Sequence, residues 1–433
     1  MSPTAIGLIG FAVLIILMFL RMPVGFVMAI VGYLGFGFVV SWSAASNLLI
    51  RDLYSTFSSY NLTVIPLFVL MGQVAFHSGI SGRLFNAAHK FFGHLPGGLA
   101  IATIGACAGF SAVCGSTSAT AATMASVALP EMKKYKYDPA LATGVVAAGG
   151  SLGILIPPST IFIIYGIMTE QSIGELFLAG VVPGILLSCF FVISILLWTY
   201  FRPEVGPRGP KSTWADKFKS LSGLVETLLL FVLVMGGLFA GFFTPTEAAG
   251  IGAFGTIMIA LIGRNLTWPG FKNALYDTTR ITCMIFVVVA GATVFGHFLA
   301  VTRIPADIGT FVSNMQLHPL IVMGFIIVIY LFLGCLMDSL AMIMLTIPIF
   351  YPVVLSIGFD PIWFGVMIVI IAEMGVITPP VGINAYVVAG VARDVPVHVV
   401  FKGSLHMLYA LIVLAFLLMI FPQITLFLPY LTK

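Results

Sequence analysis

Apolar residues run along this chain in long stretches, separated by short breaks that hold nearly all of its charge. A hydrocarbon core roughly 30 Å thick takes about 20 helical residues, so runs of this length predict membrane-crossing helices. Windows poor in charge place spans at 4–20, 23–42, 60–77, 139–169 and 180–201. After a polar linker at 202–222, a second set falls at 224–243, 245–263, 279–299, 361–391 and 404–428. The runs are continuous and do not alternate with period two, which excludes a β-barrel.

Two apolar stretches do not read as single spans. Residues 95–130 are interrupted by Gly115-Ser116-Thr117-Ser118, and residues 319–352 by Gly334-Cys335-Leu336-Met337-Asp338-Ser339. Each flanking arm is short for a span and fits one limb of a re-entrant hairpin. Polar backbone at such a tip survives at membrane depth only inside protein or beside water. Amphipathic segments at 80–94 and 303–316 precede the hairpins and are expected to lie along the interface.

Landmarks recur at one constant offset, without a gap: Pro23 and Pro245, Pro130 and Pro352, Asp138-Pro139 and Asp360-Pro361, Gly153 and Gly375, Pro157-Pro158 and Pro379-Pro380. The tips fall in the same register, with Ser116 opposite Asp338. The chain therefore reads as two repeats, 1–201 and 223–433, joined by the linker. Five crossings and one hairpin per repeat make the second repeat inverted relative to the first, and inverted repeats with broken helices are a feature of secondary transporters. On this topology 16 of the 19 basic residues collect on one side, with only Arg51, Arg303 and Lys433 opposite. The excess of Lys and Arg makes the first side cytoplasmic and puts both termini outside.

Composition narrows the classes. Charged residues are 8% of 433, against about 25% for a soluble domain. A soluble enzyme, a disulfide scaffold and a nucleic-acid binder are all excluded. The segment Thr4–Leu20 lacks a basic start and a cleavage site, so it is expected to stay as a span. The five cysteines show no metal-ligand spacing and read as packing residues. The seven histidines mostly sit at segment ends, as interfacial residues do. Lys211 follows Pro210 where a phosphate-binding loop needs Gly, and no hydrolase motif is present, so neither ATP hydrolysis nor other enzymatic chemistry is expected.

Candidate chemistry gathers at three places. Hydroxyls of the first tip, 115–120, can cap helix ends or serve as oxygen ligands. The proline pairs Pro157-Pro158 and Pro379-Pro380 lack N–H groups, which predicts unpaired carbonyls at Gly153, Ile154, Gly375 and Val376. Free carbonyls at a half-helix C-terminus suit Na⁺. Asp338 at the second tip and Glu373 inside a span are costly in lipid and are functional candidates. Asp338 can also read as a helix N-cap, and Glu373 as a partner for a nearby donor. Glu247, in Thr244-Pro245-Thr246-Glu247, reads as a capping box.

These segments together resemble the large membrane subunit of the tripartite ATP-independent periplasmic (TRAP) transporters. The resemblance rests on Gly-Ser-Thr-Ser-Ala-Thr-Ala-Ala-Thr at 115–123, Gly-Gly-Ser-Leu-Gly-Ile-Leu-Ile-Pro-Pro-Ser at 149–159, Thr-Pro-Thr-Glu-Ala-Ala at 244–249 and Gly-Val-Ile-Thr-Pro-Pro at 375–380. It implies an all-α, elevator-type transporter of the bacterial or archaeal inner membrane that imports an organic acid with Na⁺ as coupling ion. It implies no other metal and no cofactor. A periplasmic substrate-binding protein and a small four-helix membrane subunit, expected as a separate chain, are the implied partners.

By that resemblance the Na⁺ ligands would be Ser116, Ser118 and Gly153 in the first repeat and Asp338, Thr378 and Pro380 in the second. Substrate between the tips would meet Thr117, Thr120, Ser159, Ser339 and Asn384. A stand-alone divalent-anion/Na⁺ symporter and an ion channel are the alternatives, distinguished by need for a binding protein and by turnover.

Overall fold

The computed structural model describes residues 2–20, 22–314 and 317–431. Arg21, Lys433 and the last two positions of the second expected arm fall outside them. The described residues are helical and connecting, with no strand. Among the described residues, eight helical stretches are long and apolar enough to cross a membrane. The chain is a multi-pass membrane protein.

The two expected hairpins are present. Gly98–Cys114 and Thr117–Lys134 form the first, Pro319–Gly334 and Ser339–Ser356 the second. Both run past the prolines taken to end them, because Pro130, Pro348 and Pro352 are carried inside their helices. The two helices that follow the tips start and end at the same offset as the sequence landmarks. Their caps correspond too: Ser116 Oγ accepts from Ala119 N at 3.4 Å, and Asp338 Oδ2 from Ala341 N at 3.2 Å.

The broken helices are also matched. Pro139–Gly150 continues as Leu152–Leu155, breaks at Pro157-Pro158 and resumes as Thr160–Thr169. Pro361–Val376 breaks before Pro379-Pro380 and resumes as Ile383–Val391. Each starts on Asp-Pro. Asp138 Oδ1 accepts from Ala140 N and Leu141 N at 2.8 and 3.3 Å, and Asp360 Oδ1 from Ile362 N and Trp363 N at 2.8 and 3.0 Å. The aspartate fills the orphan N–H groups, and proline costs nothing where no N–H is needed.

Several expected boundaries shift. Trp268–Thr302 is one 35-residue helix and Ile173–Phe201 has 29 residues, both longer than the charge-poor windows. Charged residues such as Lys272, Asp277 and Glu175 do not stop a helix that runs on beyond the apolar layer. Trp214–Phe239 starts inside the expected linker, capped by Thr213, so the irregular linker ends near 213. The final span stops at Ile420, because Pro422 cannot continue the helical bonding, and Gln423–Leu431 follows. Trp42–Phe57 is a further helix where none was expected. The capping box at Thr244 is formed, with Glu247 N donating to Thr244 Oγ1 and Thr244 N to Glu247 Oε2.

The arms are the helices Ile80–Phe92 and Ile304–Asn314. On the linker side, Gly209 N donates to Gly93 O and Gly97 N to Gly206 O, both at 2.9 Å, and Asp138 N donates to Val205 O at 3.0 Å. The linker is thereby laced to the first arm, the first hairpin and the first broken helix. Lys133 pairs with Asp394 across the bases of the first hairpin and the second broken helix. The ammonium beside it holds the Asp394 carboxyl below the usual carboxylate range.

Candidate functional site

Each hairpin tip rests on the broken helix of its own half, and glycine makes the approach possible. A Cβ added at Gly153 would run into the Ser116 carbonyl oxygen, and one at Gly375 into the Gly334 backbone. Hydrogen bonds complete the joints. Thr160 Oγ1 donates to Gly115 O at 3.0 Å in the first half, and Val381 N donates to Cys335 O at 3.2 Å in the second.

The two tips meet at a cavity of about 140 Å³. Ser116, Thr117 and Ser118 line it from the first tip, and Asp338, Ser339 and Leu340 from the second. Thr160 and Ile154 near the first break and Val376 and Ile383 near the second line it as well. Gln73 of Val64–His77 and Ile281, Met284 and Ile285 of Trp268–Thr302 also line it. Ser339 Oγ is buried and has no hydrogen-bond partner among the described residues.

Five of the expected site residues thus share one cavity: Ser116, Thr117, Ser118, Asp338 and Ser339. The others do not line it. Gly153 sits under the Ser116 carbonyl. Thr120 is fully buried along its hairpin helix. Ser159 is buried and caps the next helix, accepting from Phe162 N at 3.3 Å. Asn384 is buried, and its Nδ2 donates to Ala147 O at 3.2 Å. Thr378 Oγ1 donates to Met374 O at 2.5 Å, which points its hydroxyl into its own helix. Pro380 is exposed.

Among the described residues no N–H reaches the carbonyls of Gly153, Ile154 or Val376. The Gly375 carbonyl departs from expectation: it accepts from Thr378 N at 3.0 Å. The helix closes one last turn in the tighter i to i+3 pattern, so this oxygen is not free. Glu373 is fully buried beside Ser151, its counterpart in the first half, and does not line the cavity.

Gln73 and Thr160 were not among the expected site residues. Gln73 had a readable signal as a lone amide in the charge-free window 60–77. Thr160 opens the half-helix after the first proline pair.

The electrostatics of the cavity have two characters. The N-termini of Thr117–Lys134 and Ser339–Ser356 both open onto it, and helix N-termini favour anions. The Asp338 carboxylate and the free carbonyls below the tips favour a cation. Among the described residues no Lys or Arg lines the cavity.

The family model described as tripartite ATP-independent periplasmic transporter, DctM component, matches residues 11–424. The chain is 36% identical over 418 residues to the sialic acid TRAP transporter large permease protein SiaM of Vibrio cholerae, covering 95% of this chain and 96% of that one. It is 35% identical over 378 residues to the C4-dicarboxylate TRAP transporter large permease protein DctM of Pseudomonas aeruginosa, covering 87% and 88%. Among solved structures it resembles the Alcanivorax borkumensis YdaH transporter with a TM-score of 0.63 at 14% identity, covering 88% and 89%. That likeness speaks for the fold. These relatives are permease subunits and not enzymes. The chain belongs to the DctM family, the large permease subunits of TRAP transporters.

Proposed function

We propose that this subunit imports an organic acid with Na⁺ across the inner membrane, binding both at the cavity between the hairpin tips. The carrying observation is the meeting of two helix N-termini and one carboxylate at a single cavity. The N-terminus of Thr117–Lys134, capped only by the neutral Ser116 hydroxyl, receives the carboxylate group. Asp338 and the carbonyls of Gly153, Ile154 and Val376 favour Na⁺ nearby. The relatives named for sialic acid and for C4-dicarboxylates have carboxylate substrates in common, which supports this class for the present chain.

The movement we infer is an elevator. Hairpins and broken helices form the moving body, and the remaining spans form a scaffold joined to it by the arms. The halves 1–201 and 223–433 are read as inverted repeats, with the irregular linker ending near 213. The basic-rich side is read as cytoplasmic and both termini as periplasmic. In support, each close contact between basic and acidic side chains among the described residues joins groups that this division assigns to the same side, as in Arg83–Glu226 and His297–Asp52. A periplasmic binding protein would deliver substrate, and a small four-helix subunit would complete the permease.

The test is uptake of labelled carboxylates into liposomes holding this chain with its small subunit and binding protein. Uptake is expected to need an inward Na⁺ gradient and the binding protein. Uptake indifferent to Na⁺ would overturn the coupling. Full uptake by the purified chain alone would favour the stand-alone symporter.

A further inference from the structure

The arm Ile80–Phe92 runs antiparallel to the start of Trp214–Phe239, and a crevice of about 320 Å³ lies between them. Arg83, Asn86 and Lys90, spaced along one helical face, form one wall. Asp216, Lys219 and Ser220 form the other.

The carboxylates here are already engaged. Glu226 pairs with Arg83 at 3.0 Å; Asp216 accepts from the hydroxyl of its own cap, Thr213, at 2.7 Å, and its charge also interacts at longer range with Lys90 and Lys219. Among the described residues, no carboxylate lies within 4 Å of Lys90 or Lys219. Lys217 adds a third cation, poised over the rings of Phe91 and Trp214 at 5.7 and 4.7 Å. Trp214 and Phe218 are 71% and 67% exposed beside the crevice. Exposed aromatic rings at the end of a span mark the headgroup layer, and basic pockets at that level bind anionic lipid headgroups.

We propose that this crevice binds the phosphate headgroup of one anionic phospholipid, held by Lys90 and Lys219, with its acyl chains along Trp214 and Phe218. The exposed rings favour a lipid over free phosphate. A lipid seated there bridges the arm to the first helix of the second half and restrains any movement between them.

The test is native mass spectrometry of the full-length chain titrated with phosphatidylglycerol or phosphatidylcholine. Wild type is expected to hold one phosphatidylglycerol at least fivefold more tightly than Lys90→Gln/Lys219→Gln. Lys90→Arg/Lys219→Arg should bind like wild type, and Lys133→Gln/Lys134→Gln, a basic pair elsewhere, should leave binding unchanged. Equal binding by wild type and the glutamine pair would overturn the site. So would equal retention of phosphatidylcholine, or an equal loss in the Lys133/Lys134 variant. Displacement of the lipid by millimolar inorganic phosphate would also overturn it, by making free phosphate the ligand.

Discussion

In the first half the proline break is sealed. Pro157 and Pro158 are buried, and Ile173–Phe201 crosses over the segment so closely that a Cβ at Gly180 would come 2.7 Å from Leu155 O. In the second half Pro379, Pro380 and Val381 are exposed. The tips differ in the same sense. The first caps its helix with the neutral hydroxyl of Ser116, the second with the carboxylate of Asp338. One backbone plan thus carries a packed, uncharged joint and an open, charged one. Fewer packed neighbours lower the cost of local opening, so the second joint is the one better placed to open.

The comparison is broken most severely at the glycines that let each tip touch its broken helix. Gly153→Val and Gly375→Val should each cut transport below a tenth of wild type, measured as uptake per reconstituted protein. Overpacking a tight contact costs about 1–3 kcal/mol or more, and here the neighbour is backbone. If Gly375→Val alone kept activity, the open joint would prove tolerant and the contrast would sharpen. Wild-type uptake by both would show that the close approaches do not matter.

A smaller effect is expected at the prolines. Pro157→Ala/Pro158→Ala and Pro379→Ala/Pro380→Ala each restore two N–H donors and favour continued helix. Both should slow uptake severalfold. Only the first pair, which is buried, should also lower the midpoint of thermal unfolding clearly. Equal losses of stability would erase the difference in packing.

The smallest effect serves as a control for symmetry. Asp138 and Asp360 cap equivalent helices with nearly the same geometry, so Asp138→Ala and Asp360→Ala should each cost about 1 kcal/mol. Thermal melts that separate the two by much more would mean that the halves differ even where their local chemistry is the same.

The parts of this design legible in the sequence are those written in residues with few conformational options. Proline pairs, Asp-Pro starts and the Gly-Ser-Thr-Ser tip announce breaks, caps and a hairpin without any knowledge of packing. Trp42–Phe57 was not legible, because Arg51 and Asp52 interrupt its apolar pattern, although Asp52 turns out to be buried beside His297. Gln73 enters the cavity only because Val64–His77 packs against the tips, a relation between distant segments. The Gly375 carbonyl was misjudged because missing donors at Pro379 and Pro380 say nothing about Thr378, which supplies one. Thr378 and Ser159 hydrogen-bond within the local framework, whereas Asn384 donates its Nδ2 to Ala147 O and keeps a buried Oδ1 with no hydrogen-bond partner among the described residues.

The most direct test of the central claim is the Na⁺ dependence of uptake in liposomes for wild type, Ser116→Ala and Asp338→Asn, reconstituted with the partner subunits. Asparagine keeps the size of the cap but removes the charge facing the cavity. Asp338→Asn is expected to require at least tenfold more Na⁺ for half-maximal uptake, while Ser116→Ala shifts it by a smaller factor. Unchanged Na⁺ activation in a folded Asp338→Asn variant would contradict the claim and leave that carboxylate as a cap alone.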